Sequence, residues 1–529
     1  MSTNKSACGE SNRTIAKSAS IISAATLCSR ILGFIRDVVM ARFFGTGIAS
    51  QAFVVAFRIP NLLRDLVAEG AANAAFVPVF SDYLARREKN EFAYLTRNIL
   101  RIVFTLLVLI TVLGILFAPL ITRLIVPGFI NEPAKLFLTI KLVKILFPYL
   151  ILIGLTAYSM AYLHTFKSFL TPALGPAMLN IAMILGILVS VRVLKEPVIG
   201  LSLAVLCGGI LQLLIQIPPM YKRGLRINPR ELKLDFSHPG TKQIGKLITP
   251  RIFGSAVYQL NVFVDTMLAS LSHIVGEGAV AAIYYANRII QFPLAIFGIA
   301  LSSAVLPTMS HQVAMDDLEG LKKTLSFSLR AIYLIMLPVS LGLIILARPI
   351  IHLLFERGEF TAYSTQITSL ALLFYAFGLV AFGGVKILAS CFYSLKDTLT
   401  PVKISFICLM LNIILNIILM FPMKVGGLAL ASSVSSTLNF IILFSILKKR
   451  VGDIFDKQTW GSLLKISLSS IIMSTATFFS WHNLFFKFKP LFSVSGVILI
   501  SVLVYFLSCL LLKVKEMRDL LIWLWKKKN

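Results

Sequence analysis

Long apolar runs recur along the whole chain, and they constrain its fold more than any other feature. A helix needs about 20 apolar residues to cross the ~30 Å hydrocarbon layer of a bilayer. Between residues 15 and 512, about fourteen such runs alternate with charged residues or with Pro and Gly. Only 14% of the residues are charged, against about a quarter in soluble proteins. The sequence therefore predicts an all-α polytopic membrane protein and excludes a soluble fold.

The charge distribution predicts how the chain crosses the membrane. The 51 Lys and Arg residues outnumber the 23 Asp and Glu residues, which gives a net charge of +28. Most basic residues lie in short segments between apolar runs, and such segments mark the cytoplasmic side of a membrane protein. No nucleic acid partner is therefore required. The alternation of basic and uncharged segments predicts an even number of spans, with both termini in the cytoplasm.

The sequence shows no chemistry for catalysis or for a metal centre. The first sixteen residues lack the apolar core of a signal peptide, so we expect the first helix to be retained. The six cysteines are scattered without metal-ligand spacing, and no zinc, phosphate-loop or nucleophile motif occurs. The longest polar stretches, 221–243 and 308–324, have the size of connectors. We expect a transporter and not an enzyme, with no bound cofactor and no firm metal site.

An internal repeat predicts two lobes. Both copies lie in even-numbered spans, and parallel repeats of this kind surround a central cavity. The matched residues are Gly45, Arg58, Pro60 and Val77-Pro78 in the first copy, and Gly276, Arg288, Pro293 and Leu306-Pro307 in the second. The predicted organisation is a cytoplasmic N-terminal segment (1–16), an N-lobe of six spans (17–221), a basic cytoplasmic linker (222–242), a C-lobe with spans seven to twelve (243–450), and two extra C-terminal spans with a basic cytoplasmic tail (451–529).

Polar side chains cluster on one face of each of the first two predicted helices, within an arc of roughly 140°. A charge at the bilayer centre costs ~3 kcal/mol or more, so such residues face a cavity or a partner. The alternative is that Arg30–Asp37 and Arg58–Asp65 form structural ion pairs, or lie near the membrane interface, where long side chains reach water. The two faces carry Ser23, Thr26, Ser29, Arg30, Arg36 and Asp37 on the first helix, and Arg58, Asn61, Arg64, Asp65 and Glu69 on the second.

The surplus of positive charge on these faces predicts an anionic ligand. Together the two faces carry four arginines but only two aspartates and one glutamate. The planar fork of donors on arginine matches phosphate better than lysine does. The eighth span adds Arg288, beside Tyr284 and Tyr285, although the tyrosines also fit an aromatic belt at the membrane interface.

A second polar group predicts a site for a coupling ion. Tyr258, Asn261 and Asp265 share one face of the seventh span, and Asn412 and Asn416 share one face of the eleventh. Their oxygens could hold Na⁺ or a proton. For the asparagines, hydrogen bonds between helices are the more common use of such amides.

These residues lie in segments that resemble the MurJ (MviN) family of lipid II flippases, within the superfamily of multidrug antiporters and polysaccharide exporters. The similarity runs from Ser29 to about Val451. It includes SRILGFIRD at 29–37 and AFRIPNLLR at 56–64, then segments 68–70, 75–78, 127–129, 147–149, 284–288, 355–361, 392–394 and 400–403.

The resemblance implies fourteen helices in two lobes. It also implies movement of lipid II, the undecaprenyl-diphosphate-linked peptidoglycan precursor, to the outer leaflet of the inner membrane by alternating access. The family's functional arginines fall on Arg30, Arg36, Arg64 and Arg288. Gln51, Asn287 and Gln291 stand where family members often carry acids, so we expect a more positive cavity. The implied partners are lipid II and the bilayer, and other cell-wall synthesis proteins are further candidates.

Two alternatives to a flippase remain. A cation-coupled antiporter of small organic solutes predicts a cavity dominated by carboxylates, and the excess of arginine argues against it. A membrane scaffold without transport activity needs no charge deep in its helices. Because no ATP-binding motif occurs, the energy source of a transporter would be a Na⁺ or H⁺ gradient, the membrane potential, or consumption of the product.

Overall fold

The computed structural model describes residues 25–64, 75–226, 234–485 and 489–518, apart from the side chains of 63–64, 249–258 and 484–485. Within these ranges the chain is helical between short turns, and no strand occurs. The predicted segment 1–16, the side chains of Arg64 and Tyr258, residues Ser23, Asp65 and Glu69, and the end of the basic tail lie outside the described residues.

Twenty-one α-helices lie within the described residues. In chain order they are α1 (25–44), α2 (Ile48–Arg64), α3 (Val77–Arg86), α4 (Lys89–Leu116), α5 (Ala118–Ile125), α6 (Pro133–Leu146), α7 (Tyr149–Thr165), α8 (Leu170–Val193), α9 (Pro197–Leu214), α10 (Ile217–Lys222), α11 (Pro239–Ala269), α12 (Ser272–Val275), α13 (Ala279–Pro293), α14 (Ala300–Ala314), α15 (Leu318–Phe355), α16 (Ala362–Phe377), α17 (Leu379–Ser394), α18 (Leu399–Met423), α19 (Val425–Val451), α20 (Lys457–Phe479) and α21 (Pro490–Leu511). A 3₁₀-helix follows α5 at Pro127–Asn131, and π-helical segments follow α13 and α20 at Leu294–Ile299 and Ser480–Phe485.

The described helices confirm an all-α polytopic membrane protein. Ten helices or continuous helix pairs are long and apolar enough to cross a membrane, and α16 with α17, bent by 46°, makes an eleventh. The remaining candidates for membrane spans are α1, the α2–α3 region and α11. Each includes or adjoins residues or side chains that the structure does not describe. The count of fourteen spans therefore stays a prediction.

The chain divides into two compact units, Met1–Gln259 and Leu260–Asn529. The division falls inside α11, a continuous helix of 31 residues. The lobe boundaries given by the sequence stay a prediction, because the units mark only where the chain is densely packed against itself.

The first unit has an aromatic core at the ends of α3, α4 and α7. Phe80 packs edge-on against Phe92 and Tyr158, with ring centroids 6.4 and 6.0 Å apart. The buried hydroxyl of Tyr158 donates to the carbonyl of Thr96 at 2.7 Å, so this tyrosine brings no unpaired donor into the core. The core fixes α7 against α4.

The described end of the predicted linker docks on α4. The amide of Asn98 donates to the Asp235 carbonyl at 2.7 Å and accepts from the Asp235 amide at 2.9 Å. The Asp235 carboxylate accepts from the Tyr94 hydroxyl and from the backbone amides of Ser237 and His238. These bonds hold the chain just before α11 begins.

The second unit is built around α15, which is kinked at Leu346 (φ −99°, ψ 15°). Close packing between helices of this unit depends on small residues, as is common between membrane helices. A Cβ atom at Gly384 of α17 would lie 2.5 Å from the Phe440 ring of α19, so only glycine permits this approach.

Polar contacts attach the last two helices to α15. A buried glutamate, Glu516, follows α21 and accepts from Ser462 of α20. The contacts with α15 are Ser326 with Thr459 at 3.1 Å, Arg330 with Glu516 at 3.0 Å, Tyr333 with Ser467 at 2.9 Å, and Tyr505 with the Leu334 carbonyl at 2.6 Å. The two predicted C-terminal helices thus pack within the second unit.

Candidate functional site

In the first unit, α1 carries a buried ion pair between neighbouring residues. The Nε and Nη2 atoms of Arg36 donate to Asp37 Oδ1 at 3.1 and 2.7 Å, and the two side chains are only 6% and 2% exposed. The sequence suggested Arg30 as the ion-pair partner of Asp37. This alternative is wrong, because residues seven apart on a helix are separated by about 10 Å along its axis.

Asn180 of α8 completes this cluster, and sequence reasoning missed it. Its Oδ1 accepts from Arg36 Nη1 at 3.0 Å, and its Nδ2 donates to the Ser29 carbonyl at 3.0 Å. The Sδ of Met183 lies 3.8 Å from Arg36 Nη1. Gly33 lies between the two bonded residues of α1, where a Cβ would be 3.4 Å from the Asn180 amide. The available signal was a single amide within the apolar run of α8.

The other polar residues of α1 and α2 differ in accessibility. Arg30 is exposed, and no hydrogen bond or ion pair to it is found among the described residues. Arg58 is half-buried and has an interaction within the structure. Asn61 donates to the Phe57 carbonyl of its own helix at 2.9 Å. Arg30 is thus an accessible cation on α1, whereas Arg36 is already bonded to Asp37.

In the second unit, α13 presents Arg288 at an exposed position. The guanidinium lies 5.1 Å from the centre of the Tyr284 ring, and Nη2 donates to the Tyr284 hydroxyl at 3.2 Å. Tyr285 points elsewhere, because it is fully buried between Phe355 and Phe360. An aromatic belt therefore does not account for both tyrosines.

Helices α11, α18 and α19 bring the predicted ion-site residues together. Asp265 Oδ1 accepts from Asn416 Nδ2 at 2.9 Å, and the same Nδ2 lies 2.9 Å from Asn412 Oδ1. Asp265 Oδ2 accepts from Asn261 at 3.4 Å and from Ser432 at 3.3 Å. Asp265, Asn412 and Asn416 are all buried. The cluster is polar, enclosed and rich in oxygen.

Two features of this cluster were not visible in the sequence. Ser432 belongs to the Ala-Ser-Ser-Val-Ser-Ser-Thr run of α19, which gave the only signal for it. The Oδ1 atom of Asn416 is buried and has no hydrogen-bond partner among the described residues. A buried acceptor without a donor is uncommon and is satisfied by a water, a proton donor or a cation.

The three neutral residues at positions that are often acidic in the family fall in both units. Gln51 is buried in α2, and Asn287 and Gln291 are half-buried on α13 next to Arg288. The effect of these replacements on the charge of a cavity stays a prediction.

A family model described as lipid II flippase MurJ matches residues 40–503. The chain belongs to the MurJ family. A probable lipid II flippase MurJ of Vibrio cholerae is 34% identical over 522 residues, which cover 96% of this chain and 98% of that relative. The lipid II flippase MurJ of Burkholderia cenocepacia is 35% identical, over 81% of this chain and 83% of its own length.

Solved structures agree with this MurJ assignment. The chain is similar to a lipid II flippase MurJ in an inward closed conformation, with a TM-score of 0.80 and 29% identity, covering 94% of this chain and 99% of that one. A MATE family multidrug transporter of the MOP superfamily, in an inward-facing conformation, shares the fold. Its TM-score is 0.67 at 14% identity, over 82% of this chain and 98% of its own.

Proposed function

We propose that this chain is a lipid II flippase, which moves the undecaprenyl-diphosphate-linked precursor from the inner to the outer leaflet by alternating access. The observation that carries the proposal is the exposed guanidinium on α1 and on α13 of a MurJ-family chain, at Arg30 and Arg288. α13 belongs to a segment long and apolar enough to cross a membrane, and α1 is predicted to cross it. Charge in such helices is retained for a partner or a ligand. A diphosphate offers oxygens that arginine binds in pairs.

The proposed cellular setting is the cytoplasmic membrane of a bacterium, with both termini inside. The charge distribution supports it, because the basic segments fall on the side that the positive-inside rule assigns to the cytoplasm. The proposed partners are lipid II and the bilayer, and cell-wall synthesis proteins are candidates for association. Transport of a lipid across the bilayer requires no catalytic group, so we propose no enzymatic activity.

Within the first unit, the substrate-binding residues are proposed to act in two ways. Arg30 is accessible and would contact the diphosphate directly. Arg36 and Asp37 neutralise each other, so Arg36 could bind phosphate only by exchanging its bonds to Asp37. A ligand that binds one conformation better than another shifts the population toward it. Arg58, Asn61 and Arg64 of α2 complete the proposed contacts.

The cluster at Asp265 is proposed to bind the coupling ion, Na⁺ or H⁺. Carboxylate, amide and hydroxyl oxygens are the donors that a hard cation prefers, and Asn416 Oδ1 is an acceptor without a donor. A flip of the Asn416 amide would turn its oxygen toward the Asp265 carboxylate, where a bound cation would hold both oxygens. A cation held there would neutralise the carboxylate and couple the state of α11 to an ion gradient.

The test replaces the essential lipid II flippase of a bacterial host with this chain. Wild type, Arg30→Ala and Arg288→Ala are compared for growth and for lipid II exposed at the outer surface. Arg86→Ala is the matched control, because Arg86 is highly exposed at the end of α3 and its ion pair with Asp82 lies on the surface. We expect growth and exposure with wild type and Arg86→Ala, and loss of both with the two other variants.

Two outcomes would contradict the proposal. Growth and surface exposure in all four strains would mean that the arginines do not bind the substrate. Well-inserted wild type that fails to support growth, but exports organic cations, would favour the antiporter.

A further inference from the structure

In the part of the chain that the structure describes, five helices end in the same left-handed turn. In each turn, the residue after the helix cap donates its backbone N–H to the carbonyl three residues earlier, and the next residue donates to the carbonyl five residues earlier. At the end of α7, for example, Lys167 donates to His164 and Ser168 to Leu163. This pattern is the Schellman motif. The turns follow α7, α10, α14, α17 and α21, with left-handed residues Lys167, Gly224, Asp316, Lys396 and Lys513 at φ of 56°, 93°, 54°, 59° and 53°.

Lysine is an unexpected residue at this position. A positive φ brings Cβ close to the backbone, so glycine is the usual choice, and Asp or Asn can visit the region because of their local hydrogen bonds. Gly224 and Asp316 follow that rule, whereas three lysines do not. The helix dipole favours a cation near a C-terminus, but this interaction is weak at an exposed site. The strained backbone therefore indicates a use for the ammonium group.

The surroundings of the three lysines indicate a lipid headgroup. Each lysine is exposed, and none has a hydrogen bond or ion pair within the part of the chain that the structure describes. A strongly exposed leucine lies two or three residues from each: Leu170 (49%), Leu399 (67%) and Leu511 (81%). An exposed leucine that close to the ammonium group fits the level at which acyl chains give way to headgroups.

The chain order places each lysine on the same side as a basic segment of its own unit. In the first unit, the long helices α8 and α9 lie between Lys167 and the basic segment 222–226. In the second unit, α18 and α19 lie between Lys396 and the basic residues 448–450, and α20 and α21 lie between those residues and Lys513. Two crossings return the chain to the same side, and the positive-inside rule expects anionic lipid there.

We propose that Lys167, Lys396 and Lys513 each bind the phosphate of an anionic phospholipid in the leaflet on that side. The strained turn holds the base of each side chain in place, so the ammonium group meets the headgroup with less loss of freedom than a lysine on a mobile loop. These contacts are independent of the substrate arginines on α1 and α13.

The experiment compares full-length variants in nanodiscs of phosphatidylcholine alone and of an equal mixture with phosphatidylglycerol. One variant has Lys→Gly at all three positions, which removes both the strain and the charge. A second has Lys→Gln at all three positions, which removes only the charge. Asp316→Gly is the matched control, because it relieves the same strain in the same motif without removing a cation. Thermal stability and the number of retained phosphatidylglycerol molecules are measured.

In phosphatidylcholine, we expect Lys→Gly and Asp316→Gly to raise the melting temperature by a few degrees, and Lys→Gln to leave it nearly unchanged. In the mixture, both lysine variants should lose phosphatidylglycerol affinity by about fivefold per site, and Asp316→Gly should not. The proposal would be overturned if the glycine and glutamine variants retained as much phosphatidylglycerol as the wild type does. A lower melting temperature of the Lys→Gly variant in phosphatidylcholine would also overturn it, because the lysines would then stabilise the fold directly.

Discussion

The two buried polar clusters use the same residue types in different ways. Around Arg36 in the first unit, a cation, a carboxylate and an amide satisfy one another. Around Asp265 in the second unit, the described side chains that donate to the carboxylate are neutral amides and a hydroxyl, and one amide oxygen has no donor among the described residues. In the described contacts, the first cluster thus pairs a cation with a carboxylate, whereas the second surrounds its carboxylate with neutral groups, as the proposed ion site requires. Burial of charge alone therefore does not identify a binding site. The groups bonded to the buried charge are the better guide.

The largest expected effect comes from breaking the first cluster. Arg36→Met leaves the buried Asp37 carboxylate without its cation, which should cost about 3–5 kcal/mol of stability. The double variant Arg36→Met/Asp37→Leu should recover much of that loss, since neither charge remains. The measurement is unfolding of the detergent-solubilised variants. A double variant less stable than Arg36→Met would show that Asp37 is held by something other than Arg36.

The second prediction concerns the ion response of the other cluster. If Asp265 binds Na⁺, saturating Na⁺ should stabilise the wild type by about 2–3 kcal/mol relative to choline. Asp265→Asn should abolish this response, and Asp37→Asn, the matched change in the first cluster, should keep it. Thermal unfolding in the two salts is the readout. Equal stability of the wild type in both salts would rule out Na⁺ at this site.

The third prediction separates the amides of the two clusters. Asn180→Leu removes an acceptor from Arg36 and a donor from the Ser29 carbonyl, so it should cost about 1–3 kcal/mol in either salt. Asn416→Leu should mainly reduce the difference in unfolding stability between Na⁺ and choline. Unfolding of both variants in both salts tests this. The same salt dependence in Asn180→Leu and Asn416→Leu would contradict the distinction between the clusters.

An ion pair outside the membrane spans gives the smallest effect. Burial alone would raise the pKa of Asp397, but hydrogen bonds from the side chain and backbone of Thr400 and from Arg450 outweigh it and lower the pKa to about 2. A lowered pKa stabilises the fold at neutral pH, and this stability is lost as pH falls from about 4 to about 2. Since Arg450 is well exposed, we expect Asp397→Asn to cost only about 1 kcal/mol.

Unfolding at several pH values checks this prediction. The difference between wild type and Asp397→Asn should shrink as pH falls below about 4. If the difference in stability stayed constant down to pH 2, the charge of the Asp397 carboxylate would not be what stabilises the fold here.

Periodicity predicted much of this fold, and contacts between distant residues account for the rest. Apolar runs located the spans, and helical geometry grouped Arg30, Arg36 and Asp37 on α1. The sequence also named Asp265, Asn412 and Asn416, which the fold brings together from two helices. It could not pair Arg36 with Asn180, because 144 residues separate them and the pairing depends on how α8 packs on α1. The roles of the predicted residues in binding a substrate or an ion stay predictions.

The most direct test of the central claim is lipid II translocation by the purified chain in vesicles. Wild type and the Arg30→Ala/Arg288→Ala double variant are reconstituted at equal density, and the appearance of labelled lipid II in the opposite leaflet is followed. The account predicts translocation by wild type and none above empty vesicles by the double variant. Equal translocation by both proteins would contradict it, because the exposed arginines would then have no part in moving the substrate.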